Sequence, residues 1–136
     1  MIIEINDNKK IGEICREFSD HFPFLKIEFF DEPHNWQEPT SLKHILPQQL
    51  EIGEVRNKQL PGVIEIHSYH KTGSVEQEFL KHFGLNIQIF RRQGDEWIQT
   101  AGTDELVLEE QNELGRKSLE ENQYGTDIRF DIEKRL

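Results

Sequence analysis

The sequence predicts an α+β fold: a ferredoxin-like sandwich built on a duplicated strand–helix–strand unit. A repeat, two periodicities and two helix stops predict it. Residues 2–22 (IIEINDNKKIGEICREFSDHF) align with residues 63–83 (VIEIHSYHKTGSVEQEFLKHF) at a constant offset of 61, with nine of 21 pairs identical. Ile3/Ile64, Glu4/Glu65, Ile5/Ile66, Gly12/Gly73, Phe18/Phe79 and Phe22/Phe83 are among them. One residue is then dropped, and LKIEFF (25–30) matches LNIQIF (85–90).

Each unit opens with a two-residue alternation, Ile3 and Ile5 or Ile64 and Ile66, which is the period of a strand with one buried face. Helical spacing follows, with Ile11, Ile14, Cys15, Phe18 and Phe22 on one stripe and Val75, Phe79 and Phe83 on its copy. Pro23 and Gly84 stop these helices: proline cannot continue one, and glycine is favoured just past its end. Alternation then returns in Leu25, Ile27 and Phe29, and in Leu85, Ile87 and Ile89. Two such units predict a four-stranded antiparallel sheet under two helices, with the opening strands central. The alternative is two small sheets side by side, one for each unit.

The repeat units occupy about 2–30 and 63–90 of a single domain spanning 1–136. Residues 31–62 hold four of the five prolines and read as an irregular connection, with a helical turn near Ser41–Leu46. Within it, Ile52-Gly53-Glu54-Val55 echoes Ile11-Gly12-Glu13-Ile14 but is too short to count as a third repeat. The remaining residues, 95–136, form a C-terminal extension. Gln93-Gly94-Asp95 signals a turn, from which Trp97 to Ala101 returns as a hairpin strand. A helix is expected from about Asp104 to Glu121, with Leu108, Gln111, Leu114 and Leu119 as its stripe and Gly115 as a place for a break. Ile128, Phe130 and Ile132 alternate with charged residues, a strand pattern that needs a sheet edge in its own subunit or a neighbour.

At 136 residues, one core is the natural expectation. Cys15 is the only cysteine, so no internal disulfide can form. Residues 1–10 lack the basic start and long apolar run of a signal peptide, and a cytoplasmic location is therefore expected. The net charge of −10 argues against nucleic acid and anionic membranes as partners. Neither half hides a basic domain: residues 1–62 hold 7 basic and 11 acidic residues, and residues 63–136 hold 9 and 15.

Candidate chemistry is sparse. His67 and His70 are three apart and His21 and His82 are repeat equivalents, but no zinc-ligand spacing accompanies them. They read as polar turn and helix-end residues. Cys15 lies on an apolar stripe and is matched by Glu76 in the copy, so it reads as a buried, inert thiol. Glu17 and Glu78 recur on the two helices and read as solvated charge. Residues 104–121 carry seven acids against two bases, which makes a soluble face or a docking surface for a basic partner. Phe29, Phe30, Phe90 and Trp97 place rings on both faces of the sheet, leaving one apolar face either open for association or covered by the 31–62 connection or the C-terminal helix. No catalytic residue, metal ligand or cofactor site is assigned. The expected role is non-enzymatic binding or self-association as a homodimer, or with another protein, through a sheet face or the C-terminal strand. The alternative is an enzyme or small-molecule binder with a pocket between the sheet and the 31–62 connection, using His67, His70 and nearby carboxylates.

One stretch resembles a small family of uncharacterised bacterial proteins. It runs Phe83-Gly84-Leu85-x-Ile87-Gln88-Ile89-Phe90-Arg91-Arg92-x-Gly94-x-x-Trp97, then Thr103-Asp104 and Leu108-Glu109-Glu110-Gln111-Asn112. Phe24 to Phe30 is similar too, so the resemblance covers residues 1 to about 115. The family has no assigned function, and the resemblance implies no activity, cofactor or catalytic residue.

Overall fold

In the computed structural model, residues 1–32, 41–57 and 60–120 are described. The elements follow the order β1 (Ile2–Ile5), α1 (Ile11–His21), β2 (Leu25–Phe30), a 3-10 turn (Leu42–His44), α2 (Ile52–Val55), β3 (Gly62–Glu65), α3 (Thr72–Phe83), β4 (Asn86–Gln93), β5 (Glu96–Gln99) and a second 3-10 turn (Ala101–Thr103). Helix α4 then covers residues 108–120. The C-terminal strand pattern at 127–133 lies outside the described residues. No helix among the described residues is long and apolar enough to cross a membrane.

The fold is α+β, with antiparallel sheets and helices compatible with a ferredoxin-like sandwich. Its strands divide into two ladders, each drawing on both repeat units. β1 pairs with β3, Ile3 opposite Ile64, and β2 pairs with β4, Ile27 opposite Ile89, with β5 beyond. The opening strands therefore do not lie between the closing ones. The reason is edge occupancy. β4 is flanked by β2 and β5, while the other edge of β2 is taken by the connection: Ile45 bridges Phe30 and the Leu46 amide donates to the Phe29 carbonyl at 2.8 Å. Both edges of β4 are thus taken, and the far edge of β2 is bridged at its C-terminal end.

The alternation behaves as the sequence predicts. Ile3, Ile5, Ile64 and Ile66 point inward and join Ile14, Phe18, Val75, Phe79, Leu25, Ile27, Phe29, Ile87 and Ile89 in one cluster. Phe29 of the first unit meets Phe79 of the second edge to face, at 6.2 Å between ring centroids. At the far end of α3, Gly84 adopts the left-handed conformation (φ 66°), and the Gly84 and Leu85 amides close onto Leu80 and Phe79.

The helix starts solve an unusual capping problem. The first amides of a helix have no partner within it, and α1 and α3 lack a side-chain cap. Backbone carbonyls replace it reciprocally. Ile11 and Gly12 donate to Leu50 and Gln48, while Ile52 and Gly53 donate back to Lys9 and Asp7. The second half repeats the device: Thr72 and Gly73 donate to Leu106 and Asp104, and Leu108 and Glu109 donate to His70 and Ser68. The echo of Ile11-Gly12 in Ile52-Gly53 thus marks two helix starts that pair with each other. A Cβ on Gly53 would stand 2.9 Å from the Asp7 Cβ, and one on Gly12 would stand 3.2 Å from Gln48.

Helix α4 departs from its expected stripe. Leu114 is exposed, and the buried positions are Leu108, Gln111, Gly115 and Ser118. The helix runs through Gly115 because that residue is the contact point: a Cβ there would meet Phe24 at 2.9 Å. Polar neighbours serve loose strand ends. Asn112 accepts the Phe24 amide at 2.9 Å, and Ser118 bridges the Arg92 carbonyl and the Gly94 amide.

Candidate functional site

Four places among the described residues bring chemistry-bearing side chains together. The first is buried. Glu76 and Asp104 are both buried, 5% and 0% exposed. Glu76 Oε2 also accepts the Ile89 amide at 2.8 Å. That amide sits where β5 ends, so the carboxyl stands in for a missing ladder partner. Thr100 Oγ1 and Gln88 Nε2 both donate to the Ile89 carbonyl, at 2.8 and 2.9 Å. Burial pushes the Glu76 carboxyl well above the usual carboxylate range; the Ile89 amide pulls it down and the Asp104 charge adds to the rise.

The second place is the β3–α3 turn. His67, Tyr69 and His70 pack ring to ring, His67 stacking on Tyr69 at 5.0 Å and meeting His70 edge-on at 5.2 Å. The sequence pair His67 and His70 is therefore brought together. Its chemistry is nonetheless structural: His70 Nδ1 accepts the His67 amide at 3.0 Å, and His67 Nε2 lies 3.0 Å from Glu65. A nitrogen spent on closing a turn is not offered to a metal.

The third place is a cleft of about 840 Å³ between the end of α1 and α4. Phe22, Leu106 and Leu114 supply its apolar lining, and Glu109, Glu110 and Glu113 face one lysine, Lys117. His21 lies at its border and also lines a second hollow with Met1, Ile2, Glu17 and Asp20. The two hollows thus form one surface. Within it, Glu113 is held below its ordinary range by its hydrogen bond to Arg116, which also pairs with Glu120.

The other sequence candidates stand apart. Glu17 pairs with Lys9 at 2.7 Å and Glu78 with His82 at 3.6 Å, so the two carboxylates hold separate partners. Cys15 is buried and its thiol is pushed up to about 12, chiefly by burial. Phe29, Phe30 and Phe90 are buried, with Phe30 stacked on Phe90 at 6.5 Å, while Lys26 and Arg92 lie 5.2 Å from the Trp97 ring. The sheet face at Phe30 and Phe90 is consequently covered.

Sequence reasoning missed two groupings. Glu76 was visible as the counterpart of Cys15 on an apolar stripe, but its neighbour Asp104 lies 28 residues on and no periodicity connects them. Asp31, Glu32 and His44 form the other: His44 Nδ1 lies 2.9 Å from Asp31, and Nε2 lies 3.3 Å from Glu32. Both ring nitrogens are engaged, and the trio clasps the first 3-10 turn to the end of β2. No protein family matches this chain, nor does any curated protein or solved structure.

Proposed function

We propose that this protein is a non-enzymatic binding domain whose acidic cleft takes a basic, amphipathic segment of a partner protein. The observation that carries the reading is the surface centred on His21. Asp20, Glu109 and Glu110 line the two hollows beside Phe22, Leu106, Leu114 and Lys117, together with Glu17 and Glu113, which pair with Lys9 and Arg116. Opposite charge steers encounter and fixes register, while desolvated apolar anchors supply most of the affinity. The chain's net charge of −10 favours the same class of partner.

The test is fluorescence anisotropy with a labelled lysine- and leucine-rich amphipathic peptide and its glutamate-substituted counterpart. Only the lysine peptide binds, and salt weakens it. Glu110→Lys weakens binding by about tenfold, equivalent to about 1.4 kcal/mol. Glu96→Lys, on β5 and outside the lining of either hollow, leaves it within about twofold. Equal losses in the two variants would reduce the effect to net charge and sink the reading.

A second reading, self-association, rests on the outward face of the β1–β3 ladder, where Ile2 and Val63 are 66% and 60% exposed. It expects a dimer by light scattering at micromolar concentration that Ile2→Lys returns to monomer.

A further inference from the structure

The duplication reaches further than strand, helix and strand. In the paired helix starts, Ile11 and Asp7 stand 61 positions before Thr72 and Ser68, and their partners Leu50 and Gly53 stand 56 before Leu106 and Glu109. The isolated bridges keep the same offsets, with Lys10 opposite Glu51 and Lys71 opposite Val107. Helix α2 is thus a one-turn counterpart of the start of α4, and Arg56, which follows it, corresponds to Asn112.

The corner beside α2 holds an arginine side chain. That of Arg56 is 1% exposed, with Nε and Nη2 at 2.9 and 2.8 Å from Asp7 Oδ1. Its Nη1 donates to the Phe83 carbonyl at the end of α3, at 2.8 Å, and to the Leu60 carbonyl at 3.2 Å. The last carbonyls of a helix carry partial negative charge, and the planar fork of a guanidinium reaches a carboxylate and such a carbonyl together.

By the same offsets, Asn112, Ser68 and Phe22 are the counterparts of Arg56, Asp7 and Phe83, and all three line the acidic cleft. The cleft is therefore the second copy of the Arg56 corner. Two exchanges set it apart. Asn112 accepts the Phe24 amide, so position 112 supplies no cation. The acid also changes sides. In the first half Asp7 faces Gly53, where a Cβ would come within 2.9 Å of the Asp7 Cβ; in the second the small Ser68 faces Glu109 across the matching backbone bond. Both corners keep an acid, whereas the arginine is kept only in the first. The cleft's own lysine, Lys117, stands eight residues beyond Glu109, about 12 Å along the axis of α4, and does not occupy the equivalent position.

We propose that the cleft takes an arginine side chain, its guanidinium paired with Glu109 and directed at the Phe22 carbonyl, as Arg56 sits between Asp7 and Phe83. That carbonyl already accepts the Leu25 amide at 3.0 Å and keeps a second lone pair. An ammonium is a point charge without the fork, so lysine fills the corner less well. That the arginine belongs to a partner protein rests on the cleft reading given above; the socket can be probed without a partner.

The probes are N-acetyl-arginine methylamide and N-acetyl-lysine methylamide, titrated into the isotope-labelled full chain and followed by NMR. The arginine compound shifts the amides of Ser68, Glu109 and Asn112 and binds at least about fivefold more tightly than the lysine compound. Glu109 is exposed, so Glu109→Gln keeps the fold, and it abolishes the preference. Glu96→Lys, outside the cleft, retains it. Equal binding of the two compounds, shifts scattered over the acidic residues at large, or a preference that survives in Glu109→Gln overturns the proposal. In parallel, the lysine- and leucine-rich peptide is scanned with single lysine-to-arginine replacements, of which one tightens binding by about tenfold to the wild type but not to Glu109→Gln. A peptide that binds but gains from no arginine overturns the socket and leaves the cleft reading standing. An arginine compound that seats at Ser68 and Glu109 while no peptide binds supports the socket and sinks the cleft reading.

Discussion

Positions 15 and 76 occupy the same place in the two repeat units, one turn before Phe18 and Phe79, and both are buried under their helices. The first holds a thiol and the second a carboxylic acid. Burial raises both, yet their surroundings differ. Cys15 packs into the apolar cluster and asks for no partner. Glu76 needs a hydrogen bond, and it finds one in the Ile89 amide. Like helices on like strands therefore tolerate opposite chemistry at one position, provided the strand beyond leaves an amide to be satisfied.

Phe79→Ala gives the largest expected effect and probes what the two halves share. Its ring meets Phe29 across the units and is fully buried, so the loss is about 3–5 kcal/mol in urea unfolding. Phe18→Ala should cost a similar amount, and a difference above about 2 kcal/mol would show that the halves are not energetically equivalent.

The paired helix starts sharpen the comparison at intermediate scale. Gly53→Ala forces a methyl to within 2.9 Å of Asp7 and should destabilise by about 1–3 kcal/mol. Gly12→Ala meets Gln48 at 3.2 Å and should cost less. The reverse order in equilibrium unfolding would mean that the reciprocal hydrogen bonds are not what sets the spacing.

Cys15 gives the smallest effect on the fold and the clearest chemical readout. With its titration near 12, only about one thiol in ten thousand is ionised at pH 8. A disulfide reagent should leave the native protein unlabelled and react at once in denaturant. Rapid labelling of the folded chain would show that the stripe of α1 opens.

Much of the candidate site was legible only in part. The acid run at 104–121 and the equivalence of Cys15 with Glu76 are plain in the sequence, and so is the closeness of His67 and His70. The cleft was not, because it needs His21 and α4, some ninety residues apart, to be neighbours. The stripe of α4 misled for a physical reason: it packs through a glycine and serves strand ends through Gln111, Asn112 and Ser118, so its buried face is not an apolar one.

Local periodicity, the repeat and the stop residues by themselves determined the α+β class and the placement of β1, α1, β2, β3, α3 and β4, because each depends on which neighbours along the chain share a face. The hairpin of β4 with β5 was legible from its turn signal, but the pairing of the other strands was decided by tertiary structure, where the connection bridges the end of β2. The partners of buried polar groups were decided there too. A carboxyl reads as solvent-facing in any sequence until the fold supplies an orphan amide to hold it inside.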